Sequence, residues 1–333
     1  MVTMKKERRG IVMLLLRVVV SLAMLGVLFT QVDDVDLSEV IPPWSIGTAL
    51  WLAGAAALTF IGIAVSAARW HQVLCALGVH SRWRHLFGHC LAGQFVSNVL
   101  PTTIGGDVLR ISRLSRETGS GPTTFASVVL ERLSGWIVLP LITLTGLAAN
   151  PGLRELGRAT TFATIIAVVT LVALATVVVL AADRRVLGRF ASTDGWPRFA
   201  GAVHLGVTQL REHPLSALSV LAVGVGYQMV LVLAALMAAQ ALHIPGVGLT
   251  ALLTFMPAVL IVQVLPIGIS GLGLREAAFV LFLGPLGVAT EQAIALGLLL
   301  YLLNLVTSLP GAGAFAIGGR RHAANAPEPA AAP

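Results

Sequence analysis

Long apolar segments are the feature that most restricts what this chain can fold into. Six of them, residues 11–32, 46–68, 122–149, 160–182, 214–241 and 291–317, are long enough to cross a bilayer. A spanning helix needs about 20 predominantly apolar residues. Shorter or interrupted apolar segments occupy residues 86–101, 249–266 and 277–289. We therefore predict an all-α polytopic membrane protein with about six full spans.

Composition supports the same class. Charged residues make up 11% of the 333 residues and hydrophobic residues 56%, whereas soluble domains are about 25% charged. The alternating segments of about ten residues that build a β-barrel are not seen.

The net charge of +7 is interpreted as topogenic and not as a nucleic-acid surface, because positive residues stay on the cytoplasmic side of a membrane. With a cytoplasmic N-terminus, most of the 22 basic residues fall on that side, including Arg69, Arg82 and Arg84 after the second segment. Trp70 then lies near a membrane boundary, as an interface anchor would. The prediction is a multi-pass protein of the cell (inner) membrane with both termini cytoplasmic. Residues 1–10 form a basic terminus, 11–318 a single transmembrane domain and 319–333 a disordered tail.

A broken apolar motif occurs twice. "NVLPTTIGGDVLR" at 98–110 and "QVLPIGISGLGLR" at 263–275 share seven of twelve positions from the first valine onward. Proline ends a helix, and glycine permits positive φ and close backbone approach. The predicted loop residues are Pro101, Gly105, Gly106, Pro266, Gly271 and Gly273. Because lipid cannot satisfy the freed backbone groups, the breaks must lie within the protein or face a watery cavity.

Three full spans separate the two copies, at residues 93–116 and 263–276, so the copies enter from opposite sides of the membrane. Broken or re-entrant helices in an inverted repeat are typical of secondary transporters, whose site lies at the repeat interface. The alternative is two proline-turn loops at the membrane surface that match by chance.

Each copy carries charge. Asp107 and Arg110 are three residues apart and share a helix face, and in the second copy Arg275 is followed directly by Glu276. Arginine is permanently charged and forked for bidentate contact, so these residues could hold a phosphate. The alternative is a set of interfacial caps and solvated ion pairs.

Two adjacent charges, Glu131 and Arg132, interrupt an otherwise apolar segment. They lie roughly 14 Å along the helix from Pro122 at about 1.5 Å per residue, where one charge costs at least about 2.5–3.5 kcal/mol. Neighbouring side chains point about 100° apart, so each is expected to seek a partner elsewhere. For Glu131 the candidates are Arg110 or Arg275, and for Arg132 they are Asp107 or Glu276. Structural stabilisation alone is the alternative to a lipid or substrate path.

Motifs for known chemistry are not seen. The sequence has no P-loop, no H-E-x-x-H, no G-x-S-x-G and no Asp-Asp-x-x-Asp element. We therefore predict no catalytic residues, no metal site and no cofactor, and a transporter in preference to an enzyme.

"GQFVSNVLPTTIGGDVLRISRLSRETGSGPTTFASVVLERLSG" and "LPIGISGLGLREAAFVLFLGPLG" resemble the two signatures of the lysylphosphatidylglycerol synthase transmembrane-region, or flippase-like, family. The resemblance covers residues 12–318. It implies that the family's Gly-Gly-Asp and Glu-Arg elements correspond to residues 105–107 and 131–132, and its Gly-x-Gly-x-Arg-Glu element to 271–276. In bifunctional members this bundle is credited with moving aminoacylated phosphatidylglycerol across the bilayer. We expect a stand-alone member without the aminoacyl-transferase domain.

The resulting hypothesis is a lipid translocase that moves a phospholipid or lipid-linked headgroup between leaflets through a polar intramembrane site. The expected substrate is an anionic or aminoacylated phospholipid, or a polyprenyl-linked lipid. A homo-oligomer and a lipid-modifying enzyme encoded nearby are further expected partners. The proposed binding residues are Asp107, Arg110, Glu131, Arg132, Arg275 and Glu276. The alternatives are an intramembrane enzyme and a scaffold subunit of a lipid- or glycan-modifying pathway without transport of its own.

Overall fold

A computed structural model describes residues 44–99, 105–182, 214–265 and 271–316, together with several positions within 19–27 and 201–208. Throughout these residues the regular structure is helical, without a strand. Most of the first predicted span, residues 11–32, lies outside them, as do Pro101, Pro266 and the C-terminal tail.

Nine helices of at least ten residues make up this part of the chain. They are α1 (Ile46–Ala76), α2 (Trp83–Val99), α3 (Gly105–Thr118), α4 (Gly121–Ala149), α5 (Arg158–Ala182), α6 (Pro214–Ala241), α7 (Leu249–Val262), α8 (Leu274–Leu283) and α9 (Thr290–Ser308). By length and apolar composition α1, α4, α5, α6 and α9 could each cross a membrane. The predicted class, an all-α multi-pass membrane protein, is confirmed.

The helix lengths repeat. In the first half a 31-residue helix is followed by helices of 17, 14 and 29 residues. In the second half a 28-residue helix is followed by helices of 14, 10 and 19 residues. Both halves therefore follow the order long, short, short, long, and the two motif copies fall between the short helices.

Packing follows the same symmetry. The contacts of α1 with α2, α2 with α3, α3 with α4 and α1 with α4 recur as α6 with α7, α7 with α8, α8 with α9 and α6 with α9. Between the halves, α1 packs on α6, and the pairs α1–α9 and α2–α9 match α6–α4 and α7–α4. The repeated motif thus belongs to a repeated arrangement of helices.

Three candidate spans, α4, α5 and α6, lie between the two short-helix pairs. If each of these three helices crosses the membrane once, the second pair lies on the opposite side of the membrane from the first. The order and packing of the helices agree with the predicted inverted repeat.

The helix α1 is longer than predicted. The apolar segment stops at Ala68, but no helix-breaking residue follows, and the helix continues to Ala76 before Gly78 adopts φ +74°. Arg69 and Trp70 are buried on this extension, with 5% and 0% of their surface exposed. The structure therefore places Arg69 and Trp70 inside the helix bundle, on a longer α1 than the sequence predicts, and Trp70 is not an exposed interface anchor.

Candidate functional site

Two glycines set the distance between α2 and α3. A methyl group on Gly106 would lie 2.2 Å from the carbonyl oxygen of Gly93, and one on Gly93 would lie 3.0 Å from the carbonyl oxygen of Gly106. Because no other residue permits this approach, the first turns of α3 lie directly against α2. Asp107 and Arg110 are positioned by this contact.

Glu131 on α4 is the centre of a buried ion cluster. Its Oε1 accepts hydrogen bonds from Arg69 Nη2 and Ser66 Oγ, both at 3.1 Å, and its Oε2 accepts one from Arg110 Nη2. The Glu131 side chain is 2% exposed. Both oxygens of this carboxylate are therefore occupied, by donors from α1 and α3.

Asp107 on α3 pairs with the next residue of α4. Arg132 donates from Nε and Nη2 to the two Asp107 oxygens, at 3.0 and 2.9 Å. Arg110 Nη1 lies 3.5 Å from Asp107 Oδ1. As predicted, Glu131 and Arg132 have separate partners, and those partners are Arg110 and Asp107.

Aromatic rings cover the two buried arginines. The guanidinium carbon of Arg110 lies 4.3 Å from the ring centre of Trp70, and that of Arg69 lies 4.9 Å from the ring centre of Tyr227. Trp70 is held in turn, since its Nε1 donates to Ser127 Oγ at 2.9 Å. Such cation–π contacts stabilise desolvated guanidinium groups by about 2 kcal/mol or more.

The cluster has more positive than negative charge. Three arginines (69, 110 and 132) meet two carboxylates (107 and 131), which leaves one positive charge in excess. Arg69 Nε and Nη1 and Arg110 Nε are buried without a hydrogen-bond partner among the described residues. Unused donors and excess positive charge favour an anion.

A pocket lined by α1, α2, α3, α4, α6 and α9 reaches this cluster. Its polar lining includes Ser66, Gln94, Ser97, Asp107, Arg110 and Arg132. The Arg132 side chain is 54% exposed, whereas those of Arg69 and Arg110 are 6% and 7% exposed. Arg132 is therefore the cluster arginine that is open to a ligand.

The second motif copy forms its own ion pair. Arg275 donates from Nε and Nη2 to Glu276 Oε1, at 3.1 and 2.7 Å, and the backbone N–H of Gly273 donates to Glu276 Oε2 at 2.6 Å. Both side chains are buried. Gly271 and Gly273 have φ of +76° and +84°, in the left-handed region that glycine tolerates. Neither Arg275 nor Glu276 lines the pocket.

The last helix connects the two copies. The ring of Tyr301 lies 5.5 Å from the guanidinium of Arg275, and its hydroxyl donates to the carbonyl of Asn98 at 3.4 Å. Asn98 Nδ2 donates to the carbonyl of Asn304 at 3.0 Å. Each copy therefore contacts α9. Among the described residues, the charged side chains of one copy do not pair with those of the other.

Two cluster members escaped the sequence reasoning. The charge pattern explains Arg69 as a topogenic residue after the second apolar segment, and no sequence pattern distinguishes Ser66. The available signal was the stretch from Arg69 to Leu77, which contains no proline or glycine and so allows the helix to carry the arginine inward.

A family model described as lysylphosphatidylglycerol synthase TM region matches residues 14–311. No curated protein matches the sequence.

Proposed function

We propose that this chain, which belongs to the family of lysylphosphatidylglycerol synthase TM regions, moves a membrane lipid between bilayer leaflets. Family membership supports a role connected with membrane lipids. The proposal goes further in assigning translocation, and it takes the polar pocket as the path of the headgroup. The acyl or prenyl chains would stay in the surrounding lipid.

The observation that carries the proposal is a buried ion cluster bordering a polar pocket inside a bundle of apolar helices. A single charge at the centre of a bilayer costs at least about 2.5–3.5 kcal/mol. When a polar headgroup enters the pocket, its contacts with the charged side chains offset part of that cost. Pairing between the arginines and carboxylates alone would not require the pocket or the excess charge.

The repeat supplies a second argument. Packing of two inverted halves around a central site is the arrangement in which secondary transporters expose a site to each side in turn. Here α9 contacts the first copy through Asn98 and the second through Arg275. Movement of one half against the other would change access to the pocket.

The proposed substrate is an anionic or aminoacylated phospholipid or a polyprenyl-linked lipid. We propose residence in the cell membrane with cytoplasmic termini, transport without chemical change of the lipid, and a homo-oligomer or a nearby-encoded lipid-modifying enzyme as partner. Arg275 and Glu276 are assigned a supporting role in this scheme, because neither residue lines the pocket and Arg275 packs against Tyr301.

Leaflet exchange in reconstituted vesicles tests the proposal. Purified protein is placed in liposomes containing phosphatidylglycerol with a fluorescent acyl chain, and the fraction accessible to a membrane-impermeant quencher is followed with time. We expect exchange above protein-free vesicles, lost in Glu131→Gln and Arg132→Gln. The matched control is Arg84→Gln, an exposed arginine outside the pocket.

Equal exchange in all variants would remove the pocket from the mechanism. No exchange by the unaltered protein with phosphatidylglycerol, its aminoacylated form or a polyprenyl phosphate would favour a scaffold role. Chemical conversion of any of these lipids would favour an enzyme.

A further inference from the structure

We propose that Arg132 is the group that receives the phosphate of the transported lipid, and that Asp107 is a carboxylate that pairs with Arg132 until the phosphate displaces it. This inference rests on the proposed function and names the ligand chemistry of that site: an oxyanion with two terminal oxygens, as in a phosphodiester or phosphate monoester.

The buried side of the cluster is fixed. Glu131 is contacted through both oxygens by Arg69 and Arg110, and these three side chains are at most 7% exposed. Removing a partner from such a pair leaves an uncompensated buried charge. A ligand would therefore have little access to Glu131, and separating Glu131 from its arginines would be unfavourable.

On the pocket side of the cluster, a ligand can replace the carboxylate that pairs with Arg132. Arg132 offers Nε and Nη2 side by side to Asp107, and this fork fits two oxygens of a phosphate as well as two of a carboxylate. Arg132 is 54% exposed and Asp107 17%. An ion pair with one half-exposed partner is weaker than a buried one and is more easily replaced.

If a ligand displaces Asp107 from Arg132, Arg110 is available as a second partner for the carboxylate. Arg110 Nη1 already lies 3.5 Å from Asp107 Oδ1, and Arg110 Nε has no partner among the described residues. A small rotation of the carboxylate toward Arg110 would keep it paired while Arg132 turns to the ligand. The excess positive charge of the cluster would then be neutralised by the phosphate.

Variants of the two partners should act in opposite directions. Asp107→Asn removes the competing carboxylate, so we expect phosphatidylglycerol to bind about threefold more tightly, the size expected for one partly exposed ion pair. Arg132→Gln removes the fork, so we expect binding at least about tenfold weaker, as for loss of a bidentate charge-assisted contact.

The measurement is fluorescence anisotropy in dodecyl maltoside, a detergent without phosphate. The probes are phosphatidylglycerol and diacylglycerol with the same labelled acyl chain. Diacylglycerol should bind equally to all variants, because it lacks the phosphate. Competition by inorganic phosphate distinguishes the sources: displacement at low millimolar concentration would indicate a site for free phosphate, and resistance a site that requires the lipid.

A cysteine placed at Gln94 provides an independent test that does not require the variants to retain lipid binding. Gln94 is half-buried and lines the same pocket, whereas the native Cys90 is buried and Cys75 is exposed. In a background with Cys75→Ser and Cys90→Ser, a negatively charged methanethiosulfonate should label Gln94→Cys faster than a positively charged one. Asp107→Asn should widen the ratio of the two labelling rates, and Arg132→Gln should narrow it.

Weaker phosphatidylglycerol binding in Asp107→Asn that remains folded, or unchanged binding in Arg132→Gln, would overturn the inference. So would equal labelling of Gln94→Cys by the two reagents. If Asp107→Asn and Arg132→Gln change phosphatidylglycerol binding in the expected directions but the protein shows no leaflet exchange, the phosphate site is supported and translocation is rejected. Exchange that does not depend on Arg132 would keep translocation and reject this site.

Discussion

At the scale of the residue, Glu131 is joined to α1 and α3 by charge-assisted hydrogen bonds. Arg69 and Ser66 approach one oxygen and Arg110 the other. The space for Arg69 depends on Gly135, where a methyl group would lie 2.9 Å from Nη1. The arginine that sequence reasoning assigned to topology is therefore a structural part of the cluster.

Replacing Arg69 distinguishes a role in membrane topology from a role in stabilising the ion cluster. We expect Arg69→Gln to leave the membrane topology unchanged and to lower the free energy of unfolding by about 1–3 kcal/mol, because Glu131 loses a buried charged donor. The measurement is unfolding in detergent, combined with a double-mutant cycle with Glu131→Gln. The two changes should be non-additive, as for residues in direct contact.

Arg84→Gln serves as the control, since Arg84 is exposed and should change stability by less than about 0.5 kcal/mol. An inverted topology in Arg69→Gln, or strict additivity with Glu131→Gln, would contradict the assignment.

At the scale of the element, the short helices α2 and α3 depend on backbone contact. Gly106 lies so near Gly93 and Ser97 that a methyl group would come within 2.2 Å of both residues. This contact places Asp107 and Arg110 at the pocket. Arg113 at the other end of α3 donates to the carbonyls of Ala314 and Phe315, which ties the helix to the segment after α9.

Gly106→Ala tests the contact. Overpacking typically costs about 1–3 kcal/mol, and here the methyl group meets backbone that cannot rotate away. We expect a lower midpoint of thermal unfolding and a loss of phosphatidylglycerol binding. Gly88→Ala on α2 is the matched control, because a methyl group there meets nothing within 4 Å. Equal effects of the two changes would show that the close approach is unimportant.

At the scale of the whole molecule, the two halves share their helix order and contacts but not their chemistry. The first copy contributes Asp107 and Arg110 to the pocket. The second holds Arg275 and Glu276 in a buried pair, with Arg275 against the ring of Tyr301. One half therefore presents charge to the pocket, while the other pairs its two charges with each other.

The opposite orientation of the halves can be measured. In a background with Cys75 and Cys90 replaced by serine, Glu117→Cys lies at the end of α3 and Pro285→Cys just after α8, both at exposed positions. Because three spans separate the two short-helix pairs, a membrane-impermeant thiol reagent added from one side should label one position only. The other should react from the opposite side. Labelling of both positions from the same side would refute the inverted repeat.

Much of this architecture was predictable from the sequence. The helical class follows from apolar length, and the repeat from matching proline, glycine and arginine residues. The pairing of Glu131 and Arg132 with separate partners follows from the angle between neighbouring side chains. The choice among partners did not follow, because Arg110 and Arg275 are equivalent in the motif and differ only in what packs against them.

The sequence alone determined that the chain is an all-α membrane protein that carries one motif twice, because burial in lipid dictates the length of its apolar segments. Tertiary structure decided which charges meet. Arg69 joins Glu131 because α1 packs against α4, whereas Arg275 pairs with the adjacent Glu276 and packs against Tyr301 of α9. Ionic contacts act over a few ångströms, so their partners are set by helix packing and not by position along the chain.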